Sequence, residues 1–158
     1  MSRAIFPGSF DPITYGHLNI IERASRIFDE IDVVVAHNVN KKYMFSADER
    51  LDMVNELTKE FKNVTAHISE KLIVEYARES GANVLLRGIR NSMDFSYEFD
   101  LSLTNKSLDS SIETVFIPTA QEFLTIKSSA IKELASFGGN ISGMVPQIVV
   151  DAMKSKMS

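Results

Sequence analysis

Short apolar runs alternate along this chain with longer stretches of helical period, and the two periods mark out most of its elements. Arg3 to Phe6, Asp32 to His37, Val64 to Ile68, Asn83 to Arg87 and Thr114 to Ile117 read as strands. Most of them are apolar at successive positions, as a strand covered on both faces requires. Between them, His17 to Phe28 carries Leu18, Ile21, Ala24 and Phe28 at spacings that share one helical face. Ser46 is followed three residues later by Glu49, a capping box ahead of Leu51, Val54 and Leu57, so a helix starts there. Further helices fit Leu72 to Glu79, closed by Gly81, then Asp94 to Asn105, Ser128 to Phe137 before Gly138-Gly139, and Pro146 to Met157.

This alternation predicts an α/β fold with about five parallel strands and C-terminal helices. The 158 residues suit a single domain, residues 1–158, with a sizeable core. In such open sheets ligands bind beyond the carboxyl ends of the strands. Attention therefore falls on the segments after Phe6, His37, Arg87 and Ile117.

Seventeen Lys and Arg against twenty-one Asp and Glu give a formal charge of -4, the opposite of a nucleic-acid binder's footprint. The absence of cysteine removes disulfides, thiolate nucleophiles, iron–sulfur clusters and Cys-ligated zinc. No apolar run approaches the roughly 18 residues of a membrane span, and Pro7 and Gly8 interrupt the start too early for a signal peptide. A cytoplasmic protein is expected, with neither nucleic acid nor membrane as partner.

Several common site patterns are missing. The chain has no G-x-x-x-x-G-K-[ST], no G-x-G-x-x-G and no G-x-S-x-G. His17, His37 and His67 are too far apart for an H-E-x-x-H metal site.

Four segments at the predicted ligand edge offer anion-binding chemistry instead. In Gly8-Ser9-Phe10-Asp11-Pro12 and Thr14-Tyr15-Gly16-His17, the glycines let backbone approach an anion, Ser9 donates a hydroxyl, and His17 sits at a helix N-terminus. The same loop also reads as a plain Pro/Gly connection in which His17 caps the helix and Asp11 caps a turn. Lys41-Lys42 is either a solvated pair or a phosphate contact. Arg87-Gly88-Ile89-Arg90 presents two guanidinium forks, suited to phosphate or to salt bridges with Asp94 and Glu98. Ser128-Ser129 opens a helix after Thr125-Ile126-Lys127, where a ligand or simple N-capping explains the hydroxyls. Together the four favour a polyphosphate substrate.

The run Phe6-Pro7-Gly8-Ser9-Phe10-Asp11-Pro12-Ile13-Thr14-Tyr15-Gly16-His17 resembles the signature of the nucleotidyltransferase superfamily with the T/H-x-G-H motif. Lys41-Lys42, Leu85-Leu86-Arg87-Gly88-Ile89-Arg90, Asp94-Phe95-Ser96-Tyr97-Glu98 and Ser128-Ser129 extend the likeness over essentially the whole chain, which resembles the bacterial phosphopantetheine adenylyltransferase family. The resemblance implies a Rossmann-like doubly wound sheet, a homohexamer, and transfer of the adenylyl group of ATP to 4'-phosphopantetheine, giving dephospho-CoA and pyrophosphate in coenzyme A biosynthesis. It further implies that Ser9 touches both substrates and that His17 stabilises the transition state. Lys41 and Arg87 would hold the acceptor phosphate, and Ile73 its arm. Ser9, Phe10, His17, Gly88, Ile89, Arg90, Glu98 and the segment Phe123, Leu124, Thr125, Ile126, Lys127, Ser128, Ser129 would surround ATP.

Two positions depart from the family pattern. Lys127 stands where a serine is usual, and Ser9 where threonine is frequent. Related enzymes acting on glycerol phosphate or nicotinate mononucleotide commonly carry histidine where this chain has Thr14. A non-catalytic nucleotide-binding module is the contrasting possibility. The attacking phosphate has a second pKa near 6, so no nucleophile–base pair is needed; positioning and charge dispersal suffice. Mg2+ is expected to ride on the ATP phosphates and water, since the loops show no carboxylate cage. Coenzyme A, as a product-like end metabolite, is a candidate feedback inhibitor of the same pocket.

Overall fold

The computed structural model describes residues 1–158. The apolar runs form five strands: β1 (Arg3–Gly8), β2 (Glu30–Ala36), β3 (Val64–Ser69), β4 (Val84–Ile89) and β5 (Glu113–Pro118). They make one parallel sheet in the order β3-β2-β1-β4-β5, with the reversal of strand order between β1 and β4 that defines a Rossmann-like switch point. Between and after them come α1 (Tyr15–Ser25), α2 (Ala47–Thr58), α3 (Ile73–Ser80), α4 (Ser92–Leu108), a 3-10 turn at Gln121–Phe123, α5 (Ser128–Ser136) and α6 (Gln147–Met157).

Alternation along the strands sends side chains to two cores. Ala4, Phe6, Ile31, Val33, Val35 and Leu86 meet α1, α2, α5 and α6 on one face, while Ile5, Val34 and Leu85 meet α3 on the other. The inner strands β1 and β2 are buried along most of their length, as their apolar runs predict. The edge strands β3 and β5 instead alternate between covered and exposed positions, because successive side chains point to opposite faces and one face of each is left largely uncovered.

The predicted helix signals hold. Ser46 and Glu49 form the reciprocal capping box of α2, and Gly81 closes α3 in the left-handed region at φ 74°. α1 starts two residues earlier than its apolar stripe suggests, because Thr14 caps it. The N-cap of α5 is the backbone of Lys127, without a side-chain bond. Simple capping therefore does not account for Ser128, whose hydroxyl donates to the Pro12 carbonyl at 2.8 Å.

The sheet is least continuous at the switch point. β1 and β2 stay in register over six residue pairs, from Arg3 opposite Glu30 to Gly8 opposite Val35. β1 and β4 share only Ala4 with Val84 and Ile5 with Leu85. Pro7, which has no N–H to offer a ladder, lies in the stretch of β1 beyond that pairing.

Candidate active site

Where β1 and β4 part, a cleft of about 530 Å³ opens at the carboxyl ends of the strands. Its walls come from three of the four segments singled out above; the Lys41-Lys42 segment lies outside them. The loop after β1 contributes Gly8, Ser9, Phe10, Thr14, Gly16 and His17; β4 and α4 contribute Arg87, Gly88, Arg90, Asp94 and Glu98; the start of α5 contributes Ile126, Lys127, Ser128 and Ser129. Phe123 lines the cleft from the 3-10 turn, and Thr119 from just after β5.

The loop after β1 is folded tightly. Phe10 is buried with its backbone at φ 47°, an uncommon conformation for a side chain of that size. Its ring lies edge-on to His17, with centroids 5.0 Å apart. A Cβ on Gly8 would come within 3.1 Å of that ring, so glycine leaves the room the ring takes. Asp11, nearly fully buried, accepts from the Met44 and Phe45 N–H groups at 2.9 and 3.0 Å and pairs with Lys132 Nζ at 3.1 Å. It therefore fastens this loop to the one carrying Lys41 and to α5, and does more than cap a local turn.

His17 does both of the things its position allows. Its Nδ1 accepts from the Thr14 N–H at 3.1 Å, and its own N–H donates to Thr14 Oγ1 at 3.3 Å, completing the cap of α1. With Nδ1 accepting, the neutral ring carries its proton on Nε2. Burial first, and then the positive fields of Arg90 and Arg87, lower the pKa of His17 to about 4. At neutral pH it is an uncharged N–H donor on the wall of the cleft.

The two arginines are held by the carboxylates beside them. Arg87 Nε and Nη2 donate to the two oxygens of Glu98, both at 2.7 Å, and Nη1 donates across the gap to the Pro7 carbonyl at 2.9 Å. Arg90 pairs with Asp94 through Nε at 2.9 Å and Nη2 at 3.2 Å, and its Nη1 reaches the Ile126 carbonyl. The salt bridges foreseen in the sequence are thus formed, inside the cleft. Each guanidinium keeps N–H capacity beyond these bonds. Lys127, exposed, has no ion pair and is the one cation of the lining whose charge is not answered by a neighbouring carboxylate.

Five residues proposed from the sequence lie outside the lining. Lys41 is exposed in the loop after β2; Ile73 opens α3 and packs on the second core; Ile89 ends β4; Leu124 and Thr125 are exposed beside the 3-10 turn. Conversely, Thr119, Ile20 and Phe6 line the cleft without having been singled out as site residues. The signal available for Thr119 is its place one residue past a strand at the ligand edge.

A parallel sheet with a donor-lined cleft at its switch point defines an α/β protein whose candidate site lies where open sheets of this kind bind ligands. Residues 5–134 match the cytidylyltransferase-like family. A phosphopantetheine adenylyltransferase of Thermosynechococcus vestitus is 49% identical over 152 residues, covering 96% of this chain and 90% of that protein. The chain belongs to the cytidylyltransferase-like family, in its phosphopantetheine adenylyltransferase branch. The fold also recurs in solved structures at low identity. One is a Vibrio parahaemolyticus protein described as a nicotinate-nucleotide adenylyltransferase (TM-score 0.72, 20% identity, 98% of this chain and 93% of the other). Another is a lipopolysaccharide core biosynthesis protein of Thermoplasma volcanium (TM-score 0.55, 23% identity, 76% of this chain and 97% of the other).

Proposed function

We propose that the protein transfers the adenylyl group of ATP to 4'-phosphopantetheine, forming dephospho-CoA and pyrophosphate in coenzyme A biosynthesis. The observation that carries this is the near full-length relationship to a phosphopantetheine adenylyltransferase, joined to a cleft that holds donors and no nucleophile–base pair. The acceptor's phosphate, largely dianionic at neutral pH, needs no activation. Its oxygen attacks the α-phosphorus, the bond to the bridging oxygen of the β-phosphate breaks, and pyrophosphate leaves with that electron pair.

In this reading the Nε2–H of His17 donates to a non-bridging α-phosphate oxygen as charge builds there. Ser9 touches both substrates. Arg87 and Lys41 take the acceptor phosphate, with Ile73 along its arm. Phe10, Gly88, Ile89, Arg90, Glu98 and residues 123–129 receive ATP, and the uncapped first turn of α5, with Lys127, faces the departing pyrophosphate. Lys41 and Ile73 lie outside the unliganded cleft, so this assignment places the acceptor across its lip.

Mg2+ is assigned to the nucleotide. Asp94 and Glu98, the cleft's carboxylates, are each held by a guanidinium. Direct ligation would have to break those pairs, which fits an ion that arrives bound to the ATP phosphates and neutralises part of their charge.

A homohexamer is proposed as the working state. In its support, α4 buries only Glu98 and leaves Met93, Phe95, Tyr97, Phe99, Leu103 and Leu108 between 44% and 82% exposed, apolar side chains that contact with further copies would cover. No helix is long and apolar enough to cross a membrane, and the proposed setting is the cytoplasm. Coenzyme A, which keeps the pantetheine and adenylate groups, is proposed to compete for the same cleft.

The test is pyrophosphate release from Mg-ATP with 4'-phosphopantetheine, glycerol phosphate and nicotinate mononucleotide side by side. Release with the first alone is the expected result. Release with another acceptor reassigns the substrate, and none with any acceptor leaves only a nucleotide-binding module.

A further inference from the structure

Arg50 is fully buried on α2, at a position where the helix offers an apolar stripe with Met53, Val54 and Leu57. Packing alone would be served by a hydrophobic side chain, and a buried guanidinium without a carboxylate partner is costly unless its N–H groups are used. Four of the five are used. Nη1 donates to the carbonyls of Ser9 at 2.8 Å and Ala36 at 3.1 Å, Nε donates to the Ser46 carbonyl at 3.3 Å, and Nη2 donates to His37 Nδ1 at 2.7 Å. The guanidinium carbon also stacks 4.0 Å from the centre of the Tyr43 ring.

These partners are one residue of the cleft loop and the successive anchor points of the loop that carries Lys41. That loop leaves β2 at Ala36, passes His37, folds back through Tyr43, whose Oη accepts from the Asn38 N–H at 2.9 Å, and enters α2 at Ser46. Asp11 grips its far end through Met44 and Phe45. One rigid planar group thus sets the distance between Ser9 and the exposed lysine's loop, although it lines no cleft wall itself.

We propose that Arg50 is a positioning residue for the transfer reaction: through the Ser9 carbonyl and residues 37–46 it fixes the acceptor side of the site relative to the nucleotide side. The inference rests on the adenylyl-transfer reading above. In-line attack is sensitive to displacements of an ångström, worth about a hundredfold in rate. A loop that drifts from the cleft costs acceptor use and leaves ATP binding intact.

Arg50→Met keeps the volume and removes the four hydrogen bonds. The expected result is a loss of about thirtyfold or more in kcat/KM for 4'-phosphopantetheine, with the Kd of a non-hydrolysable ATP analogue within about twofold of the parent. Arg50→Lys, which retains the charge and one or two of the bonds, should recover part of the loss. Tyr43→Leu, which leaves Arg50 in place, should show a smaller loss of the same kind and guards against a failure of Arg50→Met to fold. A folded Arg50→Met with unchanged kcat/KM overturns the proposal, as does equal weakening toward both substrates in step with a fall in Tm. Amide exchange at residues 38–45 separates this inference from the reading beneath it. Faster exchange in Arg50→Met, with β2 amides unaffected, supports the holding role even if the parent enzyme proves to prefer another acceptor, and unchanged exchange overturns it.

Discussion

Arg87 and Glu98 meet fork to fork, with both N–O distances at 2.7 Å, at the carboxyl end of β4. The pair is mostly buried, at 26% and 10% side-chain exposure, and a third bond from Arg87 reaches the Pro7 carbonyl on the other side of the cleft. Glu98 thus fixes the plane of the guanidinium while leaving N–H groups for a phosphate. Glu98→Ala removes that constraint and leaves the arginine charge unanswered. We expect a stability loss of about 1–3 kcal/mol in denaturant unfolding, together with a several-fold rise in the KM for 4'-phosphopantetheine. A variant with parental stability and KM would show that the pair positions nothing.

His17 supplies a neutral N–H whose contact with the α-phosphate should strengthen as charge develops. His17→Ala should lower kcat by about 100-fold to 1,000-fold with little change in either KM. Steady-state kinetics in both substrates checks this, and a KM effect alone would argue for ground-state binding.

The same residue makes the protein acid-sensitive in a defined window. The folded pKa of His17, about 4, lies below the ordinary imidazole value of 6.5, so between these pH values the unfolded chain binds a proton that the folded one refuses. Stability from this group is complete above about pH 6.5 and falls as pH drops toward 4, by on the order of 3 kcal/mol. His17→Gln should flatten that part of the stability profile in denaturant unfolding from pH 4 to 7. Activity follows a different titration: the acid limb of kcat/KM should track the acceptor phosphate near pH 6, because His17 is already neutral there.

Lys127 is the unpaired cation of the lining. Lys127→Ala should raise the KM for ATP by about threefold to tenfold, an effect that shrinks at high salt because the group is exposed. The KM for 4'-phosphopantetheine should stay close to that of the parent. The two KM values at low and high ionic strength provide the measurement.

The exposed apolar side chains of α4 test assembly independently of chemistry. Phe99→Asp should reduce the solution mass measured by light scattering while leaving the far-UV spectrum of the protomer unchanged. An unaltered mass would remove α4 from the interface.

Strand order aside, the architecture is readable from period alone. Runs such as Val33-Val34-Val35 and the Ser46–Glu49 box announce themselves within a few residues. α4 is harder: it extends to 17 residues, longer than its pattern implies, because its apolar residues are spread around the helix and Glu98 is its one buried side chain, so no single apolar stripe marks its ends. The segments that line the cleft are identifiable because they lie at or beyond the carboxyl ends of strands, and the topology gathers such segments at one edge. The internal pairing of Arg87 and Arg90 was foreseen only as an alternative to binding, whereas the structure places the pairs within the cleft itself. Asp11 and Arg50 were not legible as clamps, since the contacts that tie segments together are remote in sequence: Asp11 reaches Met44, 33 residues on, and Lys132, 121 residues on, and Arg50 reaches Ser9, 41 residues back. The one local clue to Arg50 is a charge standing on the stripe of Met53, Val54 and Leu57, where an apolar residue belongs.

The short register between β1 and β4 carries a mechanical consequence. Two residue pairs join what are in effect two half-sheets, β3-β2-β1 and β4-β5, and the bond from Arg87 to Pro7 is a single clasp further along the seam. Ladder pairing thus resists twist between the halves less than it does within either of them. On the proposed reading, a substrate held at once by the loop after β1 and by the Arg87-Gly88 corner would act as a splint across that seam, joining catalytic alignment to stiffening of the sheet.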